Sequence, residues 1–258
     1  MTRPLNLGIT FGIILAVAVT ALIAQKIHVR DLEPASEQER IALRAEIRSY
    51  ILENPTIIFE ALAIVRKQEE EAEAKRDDQL VQEFKKDLFE DGYSYVGGNL
   101  DGDITLVEFL DYRCGYCQRA YEELEKLLSE DGNIRFIIKE YPILGEVSNL
   151  TSQFAIAIKQ LHGNDAYKTI HDTLIAFSGE PTLDSLGEIA KTFGFDKDPI
   201  FERMTGSEVL AEINANRILG EKMQISGTPT FVLENKLLRG YVPLETMRII
   251  AASQRGQI

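Results

Sequence analysis

The sequence is poor in the side chains that hold structural metals. It has two cysteines, three histidines and no tryptophan among 258 residues. A structural zinc site needs four ligands, commonly four cysteines or cysteines combined with histidines. Cys114 and Cys117 are separated by two residues, but His28, His162 and His171 lie far from them in sequence. The sequence therefore argues against a zinc site within one chain, and it implies neither a resident metal nor an organic cofactor.

Positive charge is also scarce. The chain has 28 lysines and arginines against 41 aspartates and glutamates, which gives a formal net charge of -13. A protein that binds nucleic acid needs a basic stripe, so the composition argues against such a partner. Hydrophobic residues make up 45% of the chain, as expected for a folded soluble body, and the length allows one or two domains.

No charged residue occurs between Arg3 and Lys26, and residues 5–24 form an apolar run. At about 1.5 Å per residue, a helix of this length just crosses the hydrocarbon core of a membrane. The run is either a cleaved signal peptide or an uncleaved anchor, and its length and the lack of Ala-x-Ala at its end favour the anchor. Both interpretations place the remainder in an oxidising compartment, where disulfides persist.

Residues 25–92 are predicted to be a linker followed by helices. Ser36 and Glu39 have the spacing of a capping box, which predicts a helix start. Asn54-Pro55 interrupts the pattern, and a second helix is expected to run from Pro55 to about residue 90. Its middle, residues 66–78, is charged on nearly every face and cannot be buried. Three interpretations of this helical region are open: a solvated connecting helix, an oligomerisation stalk formed by residues 37–90, or a disordered segment.

Beyond residue 92 the pattern is that of an α/β sheet. The expected elements are strands at 93–96 and 104–110, a helix at 117–130, a strand at 134–143, helices within 147–222, a hairpin at 230–240 and a helix at 243–253. This order predicts a sheet with a helical insertion. The expected divisions of the chain are residues 1–24, 25–92 and 93–258, with the insertion at about 145–222.

The two cysteines follow a buried strand and open a helix. In the first helical turn, Cys114 would face unpaired N–H groups and the positive end of the helix dipole, which favours a thiolate. That thiolate can attack a disulfide, and Cys117, one turn later, can attack the resulting mixed disulfide. The alternatives are two ordinary buried cysteines or a pair that binds soft copper(I).

Two separated motifs carry a resemblance to a known family. VEFLDYRCGYC (107–117) and ISGTPTFVL (225–233), with KEYPILGEVS (139–148) between them, resemble the bacterial DsbA family of the thioredoxin superfamily. The resemblance covers about residues 93–258. It implies a thioredoxin fold with a helical insertion and the activity of a thiol–disulfide oxidoreductase. The implied partners are exported proteins with cysteines or disulfides and a membrane redox protein.

The resemblance also implies roles for individual residues. Glu108 matches the family's buried acid, which relays protons; the alternative is an exposed strand carboxylate. Gly115 and Tyr116 occupy the dipeptide that tunes the redox potential, where the prototype oxidase has Pro-His. A strongly oxidising potential is therefore not implied. Thr228-Pro229 matches the cis-proline loop, which lies beside the cysteines and docks substrate backbone.

The N-terminal segment resembles a subgroup of the same family. IRSYILENPTIIFEAL (47–62) is similar to Com1-like and ScsC-like members, in which this region can oligomerise. That implies isomerase or reductase activity, linked to copper stress. The sequence thus predicts a periplasmic thiol–disulfide oxidoreductase that forms, reduces or isomerises disulfides, anchored to the inner membrane if residues 5–24 are retained. The alternative function is a copper(I)-handling or chaperone-like exported protein.

Overall fold

The structure is a computed structural model that describes residues 36–257. The apolar run at residues 5–24, interpreted above as a signal peptide or anchor, lies outside the described residues. Within residues 36–257, no helix has the length and apolar character needed to span a bilayer. The chain divides into two units, with the boundary between Gln68 and Glu69.

Helix α1, Glu37–Glu53, begins where the capping box predicts. The Ser36 hydroxyl accepts a hydrogen bond from the Glu39 N–H (3.3 Å), and the Glu39 carboxylate accepts one from the Ser36 N–H (2.8 Å). These reciprocal bonds satisfy main-chain donors that a helix start otherwise leaves unpaired. Helix α2, Thr56–Glu83, begins one residue later than expected, because Pro55 lies in the preceding turn.

The first unit has little core of its own. Helix α1 contains no buried residue, and the first 13 residues of α2 are exposed or only partly buried. Its exposed large apolar side chains are Ile41, Leu43, Ile47, Tyr50, Leu52, Ile58, Phe59, Leu62, Ile64 and Val65. Helices of this kind gain little stability from burial within the unit, and exposed apolar side chains in this number are typical of an interaction surface.

The second unit begins within α2, where Val81 is buried. The helix does not continue to residue 90 as predicted. Phe84, with φ -101° and ψ 19°, leaves the helical conformation and separates α2 from the short helix α3, Lys85–Phe89. Phe84 and Leu88 pack in the same apolar cluster as Val81, so tertiary packing outweighs the uninterrupted helical sequence at this point.

The remaining elements form a mixed sheet with helices. They are β1 Tyr95–Gly98, β2 Ile104–Leu110, α4 Gly115–Asp131, β3 Ile134–Glu140, α5 Glu146–His162, α6 Asn164–Ile175, α7 Leu183–Thr192, α8 Lys197–Met204, α9 Ser207–Lys222, β4 Thr230–Leu233, β5 Lys236–Arg239 and α10 Leu244–Gln254. The strand order is β1-β3-β2-β4-β5. Strands β2 and β3 are parallel, and the other neighbours are antiparallel. The predicted α/β fold with a helical insertion is confirmed, and α5 to α9 form the insertion.

Two strand ends differ from the sequence prediction, and a carboxylate explains each difference. Strand β1 starts at Tyr95, because the two preceding residues donate their N–H groups to the Asp91 carboxylate. Strand β3 ends at Glu140, because residues 143 and 144 donate theirs to the Asp111 carboxylate. Side-chain acceptors thus replace sheet partners at both ends.

The sheet is buried on both faces. Leu106 and Leu110 of β2 pack in the cluster that contains both cysteines, whereas Val107 and Phe109 pack in the cluster on the opposite face. Successive strand side chains point to opposite faces, so Glu108 lies on the same face as Leu106 and Leu110. The strand alternation therefore places a carboxyl group beneath the cysteines.

Candidate active site

The cysteine pair lies at the N-terminal end of α4. Cys114 is the N-cap residue, and its N–H donates to the main-chain oxygen of Asp111 (3.0 Å). Cys117 lies one turn later and is 1% exposed, against 8% for Cys114 and 62% for Tyr116. Both cysteines are free thiols in the structure. The helix start therefore leaves a small part of Cys114 accessible to solvent and encloses Cys117 almost completely.

The loop before β4 brings the second motif to the first. The Thr228-Pro229 peptide bond is cis. Strand β4 pairs with β2 in the register Phe109↔Thr230, so the residues before β4 lie beside the residues that follow β2. The Cys114 thiol donates a hydrogen bond to the main-chain oxygen of Thr228 (Sγ–O 3.0 Å). Cys114 and Thr228, which are 114 positions apart in the sequence, are thus in contact through the Cys114 sulfur atom.

Hydrogen bonds favour the ionised form of Cys114. The Cys117 thiol, the Thr228 hydroxyl and the main-chain N–H groups of Cys117 and Tyr116 lower the pKa of Cys114 to about 5, against the opposing effect of burial. The Thr228 hydroxyl is buried and has no hydrogen-bond partner in the described part of the chain, so it is free to donate to the Cys114 sulfur when that sulfur is ionised. Burial raises the pKa of Cys117 far above its ordinary value. One thiol is thus a thiolate near neutral pH and the other retains its proton.

Glu108 is buried, not an exposed strand carboxylate. Burial, together with the negative charges of Glu140 and Cys114, raises the pKa of Glu108 to about 8. A carboxyl group with this pKa holds or releases a proton close to neutral pH, which suits general acid–base chemistry.

Glu140 is a second buried acid on this face, and the sequence analysis assigned it no role. Its Oε1 accepts hydrogen bonds from the hydroxyls of Tyr112 (2.8 Å) and Tyr167 (2.6 Å), and its Oε2 accepts one from Ser152 (2.7 Å). His171 Nδ1 lies 3.1 Å from the Tyr112 oxygen. A signal existed in the sequence, because Glu140 continues the alternation of Ile134, Phe136 and Ile138 on one face of β3.

His171, which lies far from the cysteines in the sequence, is buried on α6. Its ring stacks on Tyr167, with 5.9 Å between the ring centroids, and burial lowers the pKa of His171 to about 3. The imidazole is therefore neutral at physiological pH and acts as a hydrogen-bonding group beside Tyr112.

Asp111 is another buried residue that the sequence analysis did not single out. Its Oδ1 accepts the N–H of Arg113 (2.8 Å), and its Oδ2 accepts those of Ile143 (2.8 Å) and Leu144 (3.0 Å). Its main-chain oxygen accepts the N–H of Cys114. One aspartate thereby holds the cysteine loop against the loop that follows β3.

Metal-binding groups are sparse around the cysteines. Within residues 36–257, no group of three or more histidine, cysteine, aspartate and glutamate side chains is arranged to hold a metal ion. Two thiols such as Cys114 and Cys117 suit copper(I), which prefers soft sulfur ligands. Copper(I) is therefore the metal to test at this site.

The geometry is suited to thiol–disulfide exchange. The thiolate of Cys114, the more exposed of the two cysteines, can attack a disulfide. The buried thiol one turn away can displace the product, and a buried carboxyl group can take or return its proton. The Thr228-Pro229 loop borders the reacting sulfur atom. The structure thus brings together Glu108, both cysteines and the loop before β4, as the sequence motifs indicated.

Comparison with known proteins agrees with this chemistry. The model of the DSBA-like thioredoxin domain matches residues 105–249, more than half of the chain, and that of the copper resistance protein ScsC N-terminal domain matches residues 39–72. A thioredoxin-like oxidoreductase from Silicibacter pomeroyi is 35% identical with a TM-score of 0.63, and the match covers 67% of this chain and 98% of that one. The catalytic domain of Proteus mirabilis ScsC is 27% identical with a TM-score of 0.63, over 69% and 98% of the two chains.

Curated relatives show the same domain within different proteins. Disulfide bond formation protein D of Bacillus subtilis is 23% identical over 59% of this chain and 73% of its own length. The Na(+)/H(+) antiporter NhaA 1 of Salinispora arenicola is 26% identical over 62% of this chain, and the match spans about a quarter of the antiporter, 24%. The family model and the S. pomeroyi structure decide the assignment. The chain belongs to the DSBA-like thioredoxin domain family.

Proposed function

We propose that this protein is a periplasmic thiol–disulfide oxidoreductase in which Cys114 is the attacking thiol and Cys117 the resolving thiol. The observation that carries the proposal is the contrast between the two sulfur atoms. Hydrogen bonds lower the pKa of Cys114 to about 5, while burial raises that of Cys117. An attacking thiol must be ionised and reachable, whereas a resolving thiol must stay protonated until a mixed disulfide has formed.

In the reducing direction, the Cys114 thiolate attacks a substrate disulfide, and one substrate sulfur leaves as a thiolate. Cys117 then gives its proton to the Glu108 carboxylate and attacks the Cys114 sulfur. The Cys114–Cys117 disulfide forms, and the second substrate thiolate leaves. In the oxidising direction the same steps run backwards, and Glu108 returns a proton to Cys117 as it leaves.

The residues around the sulfur atoms have supporting roles in this proposal. Thr228 and Pro229 form the loop that docks substrate backbone, which fits the position of the Thr228 carbonyl 3.0 Å from the Cys114 sulfur. Gly115 and Tyr116 separate the cysteines and influence the redox potential through the first turn of α4. Tyr116 is exposed and is therefore free to contact a bound substrate.

The proposed substrates are exported proteins with cysteines or disulfides, and the proposed redox partner is a membrane protein. The location is supported by a structural neighbour described as a periplasmic thioredoxin-like protein from Salmonella enterica serovar Typhimurium, 25% identical with a TM-score of 0.60. Residues 5–24 would direct the chain to the periplasm as a signal peptide or inner-membrane anchor. Residues 93–258 would form the catalytic domain.

The test is turnover of a model disulfide by the purified protein. Wild type should reduce insulin or reshuffle a scrambled substrate, and Cys114→Ala should lower the rate at least about a thousandfold, because the nucleophile is lost. Cys117→Ala should retain the first step and accumulate a mixed disulfide with substrate, detected by intact mass.

Unchanged turnover in Cys114→Ala would refute this mechanism. Tight copper(I) binding by the reduced wild type, without disulfide turnover, would favour the copper-handling alternative. If the wild type shows no disulfide turnover, and Cys114→Ala suppresses the aggregation of other proteins as well as the wild type does, a chaperone-like function would be favoured.

We also propose that residues 37–90 make the protein a homo-oligomer. The support is the set of exposed apolar side chains in the first unit and the match of residues 39–72 to the ScsC N-terminal domain. Light scattering should give a mass of several chains for the wild type and of one chain for Leu62→Glu/Val65→Glu. Glu60→Gln, an exposed neighbour, is the matched control and should retain the oligomer. A monomeric wild type would exclude the proposal.

A further inference from the structure

Two buried carboxyl groups lie on the same face of the sheet beneath the cysteines. Strands β2 and β3 are parallel, with Glu108 opposite Ile138 and Leu110 opposite Glu140. The two acids are therefore diagonal neighbours, and their side chains share the face that packs against α4. Among the described residues, neither carboxyl group forms a salt bridge, although both are at least 97% buried.

The surroundings of Glu140 stabilise a negative charge without a paired cation. Hydroxyl groups approach it from three elements: Tyr112 in the cysteine loop, Ser152 on α5 and Tyr167 on α6. While Glu140 is ionised, the Tyr112 proton lies towards it, so His171 Nδ1–H donates to the Tyr112 oxygen. The cation that acts on Glu140 is Lys159 of α5, which is itself paired with Glu212.

The groups that act on Glu108 are anionic. They are Glu140 on β3, Cys114 at the start of α4 and Glu125 further along α4. Glu125 is partly exposed and lies close to Lys168, so solvent and a cation weaken its field. Cys114 loses its negative charge when it enters a mixed disulfide. Glu140 is then the remaining buried charge that can hold the proton on Glu108.

We propose that Glu140 is a positioning residue for the proton transfer between Cys117 and Glu108: its negative charge determines whether Glu108 can accept the proton. This inference rests on the proposed oxidoreductase function. When Glu140 is ionised, Glu108 retains its proton, and the attack of Cys117 on the mixed disulfide is slow. When Glu140 is neutral, Glu108 ionises more readily, accepts the Cys117 proton and allows Cys117 to attack the mixed disulfide.

The pKa values place this coupling in the physiological range. Burial raises the pKa of Glu140 to about 7, against the three hydroxyl donors that stabilise its ionised form. Glu108, at about 8, titrates next to it. Two acids so close together release their protons as a coupled pair, in two steps that belong to both.

The test isolates the resolving step. A mixed disulfide is prepared between Cys114 and a cysteine peptide, and release of the peptide thiol is timed from pH 5.5 to 9.5. Glu140→Gln should shift the midpoint of the rate profile to lower pH and raise the rate at pH 7 about threefold, because a neighbouring negative charge is removed. Gln accepts from both tyrosines and donates to Ser152, so the network can persist.

Glu125→Gln is the matched control, since it removes the same charge from a solvent-screened position, and its profile should equal that of wild type. An unchanged midpoint in Glu140→Gln overturns the inference, while turnover of insulin by the wild type leaves the proposed function standing. A wild type that never resolves the peptide refutes the proposed function itself.

A second measurement needs no substitution. With ¹³C-labelled glutamate in the reduced wild type, the Glu108 carboxyl signal should change in two steps, the first at the pH where the Glu140 signal changes. If the Glu108 signal changed in a single step and did not change at the pH where Glu140 titrates, the inference would be overturned. This result holds even if Glu140→Gln failed to fold.

Discussion

Lys139 and Glu140 are consecutive residues at the end of β3, and they place opposite charges on opposite faces of one sheet. The Lys139 ammonium is buried on the face away from the cysteines, where it pairs with the Asp91 carboxylate and donates to the main-chain oxygen of Asp87 (2.6 Å). Glu140 is equally buried on the cysteine face, but its partners are neutral hydroxyl groups. The first charge has a counter-ion and the second has none.

The difference separates a structural charge from one that can exchange a proton. Burial opposes ionisation of Asp91, but the Lys139 ammonium and the bonds from Ser94 outweigh it, so the pKa of Asp91 lies below its ordinary value. Burial without a paired cation raises the pKa of Glu140 to about 7 and that of Glu108 to about 8. A paired buried ion keeps its charge at all physiological pH values, whereas an unpaired acid titrates there.

The largest expected effect comes from removing an unpaired acid. The folded pKa of Glu108, about 8, is above its ordinary value of 4.5. Ionised Glu108 therefore destabilises the fold, and stability falls as pH rises from about 4.5 to about 8. At about 1.4 kcal/mol per pKa unit, this loss approaches about 5 kcal/mol at pH 9. Glu108→Gln should remove it, so the free energy of unfolding should fall less between pH 5 and pH 9 than in wild type.

Urea unfolding at several pH values measures this difference. Glu125→Gln, which removes a solvent-screened carboxyl group, should show the same pH dependence as wild type. If Glu108→Gln lost as much stability with rising pH as wild type does, Glu108 would not be an acid that retains its proton in the folded protein. The contrast between the paired Lys139 and the unpaired acids would then not hold.

Removing the partner of the structural charge should have the next largest effect. Asp91→Ala leaves the buried Lys139 ammonium unpaired, which should lower the free energy of unfolding by about 3–5 kcal/mol. Asp91→Ala/Lys139→Met, which removes both charges, should be less destabilising than the single change. At urea concentrations too low to unfold these variants, the pKa of the Cys114 thiol should be the same as in wild type. Asp91 and Lys139 lie on the face of the sheet away from the cysteines. A shift of that pKa would show that the two faces are not independent.

The fold and the reacting atoms follow from local sequence patterns. Cys114-Gly-Tyr-Cys117 after a buried strand, and Gly-Thr-Pro before another, are each recognisable within a few residues. These features needed no knowledge of distant contacts.

The acid network depends on contacts that a linear reading does not contain. Glu140 acquires its character from Ser152 and Tyr167, which lie on two different helices of the insertion. The tertiary packing of those helices brings the hydroxyl groups to one carboxylate, and their amphipathic patterns alone do not specify it. The same applies to Asp111, whose role depends on the loop after β3 folding back to it. The sequence motifs thus located the two cysteines, Glu108 and the Thr228-Pro229 loop, but not the buried acids Glu140 and Asp111 beside them.

The smallest expected effect tests whether a single neutral hydroxyl controls charge on the cysteine face. Thr228→Val keeps the shape of the side chain but removes the buried hydroxyl that stabilises the Cys114 thiolate. A hydrogen bond to a charged group contributes about 1.5 kcal/mol or more, so the pKa of Cys114 should rise by about one unit. The ultraviolet absorbance of the thiolate, followed against pH, reports the change. Thr230→Val is the matched control, because that hydroxyl donates to Gly227 (2.8 Å) and its removal should leave the pKa unaltered. Equal shifts in both variants would mean that loop packing, rather than the Thr228 hydroxyl, stabilises the thiolate.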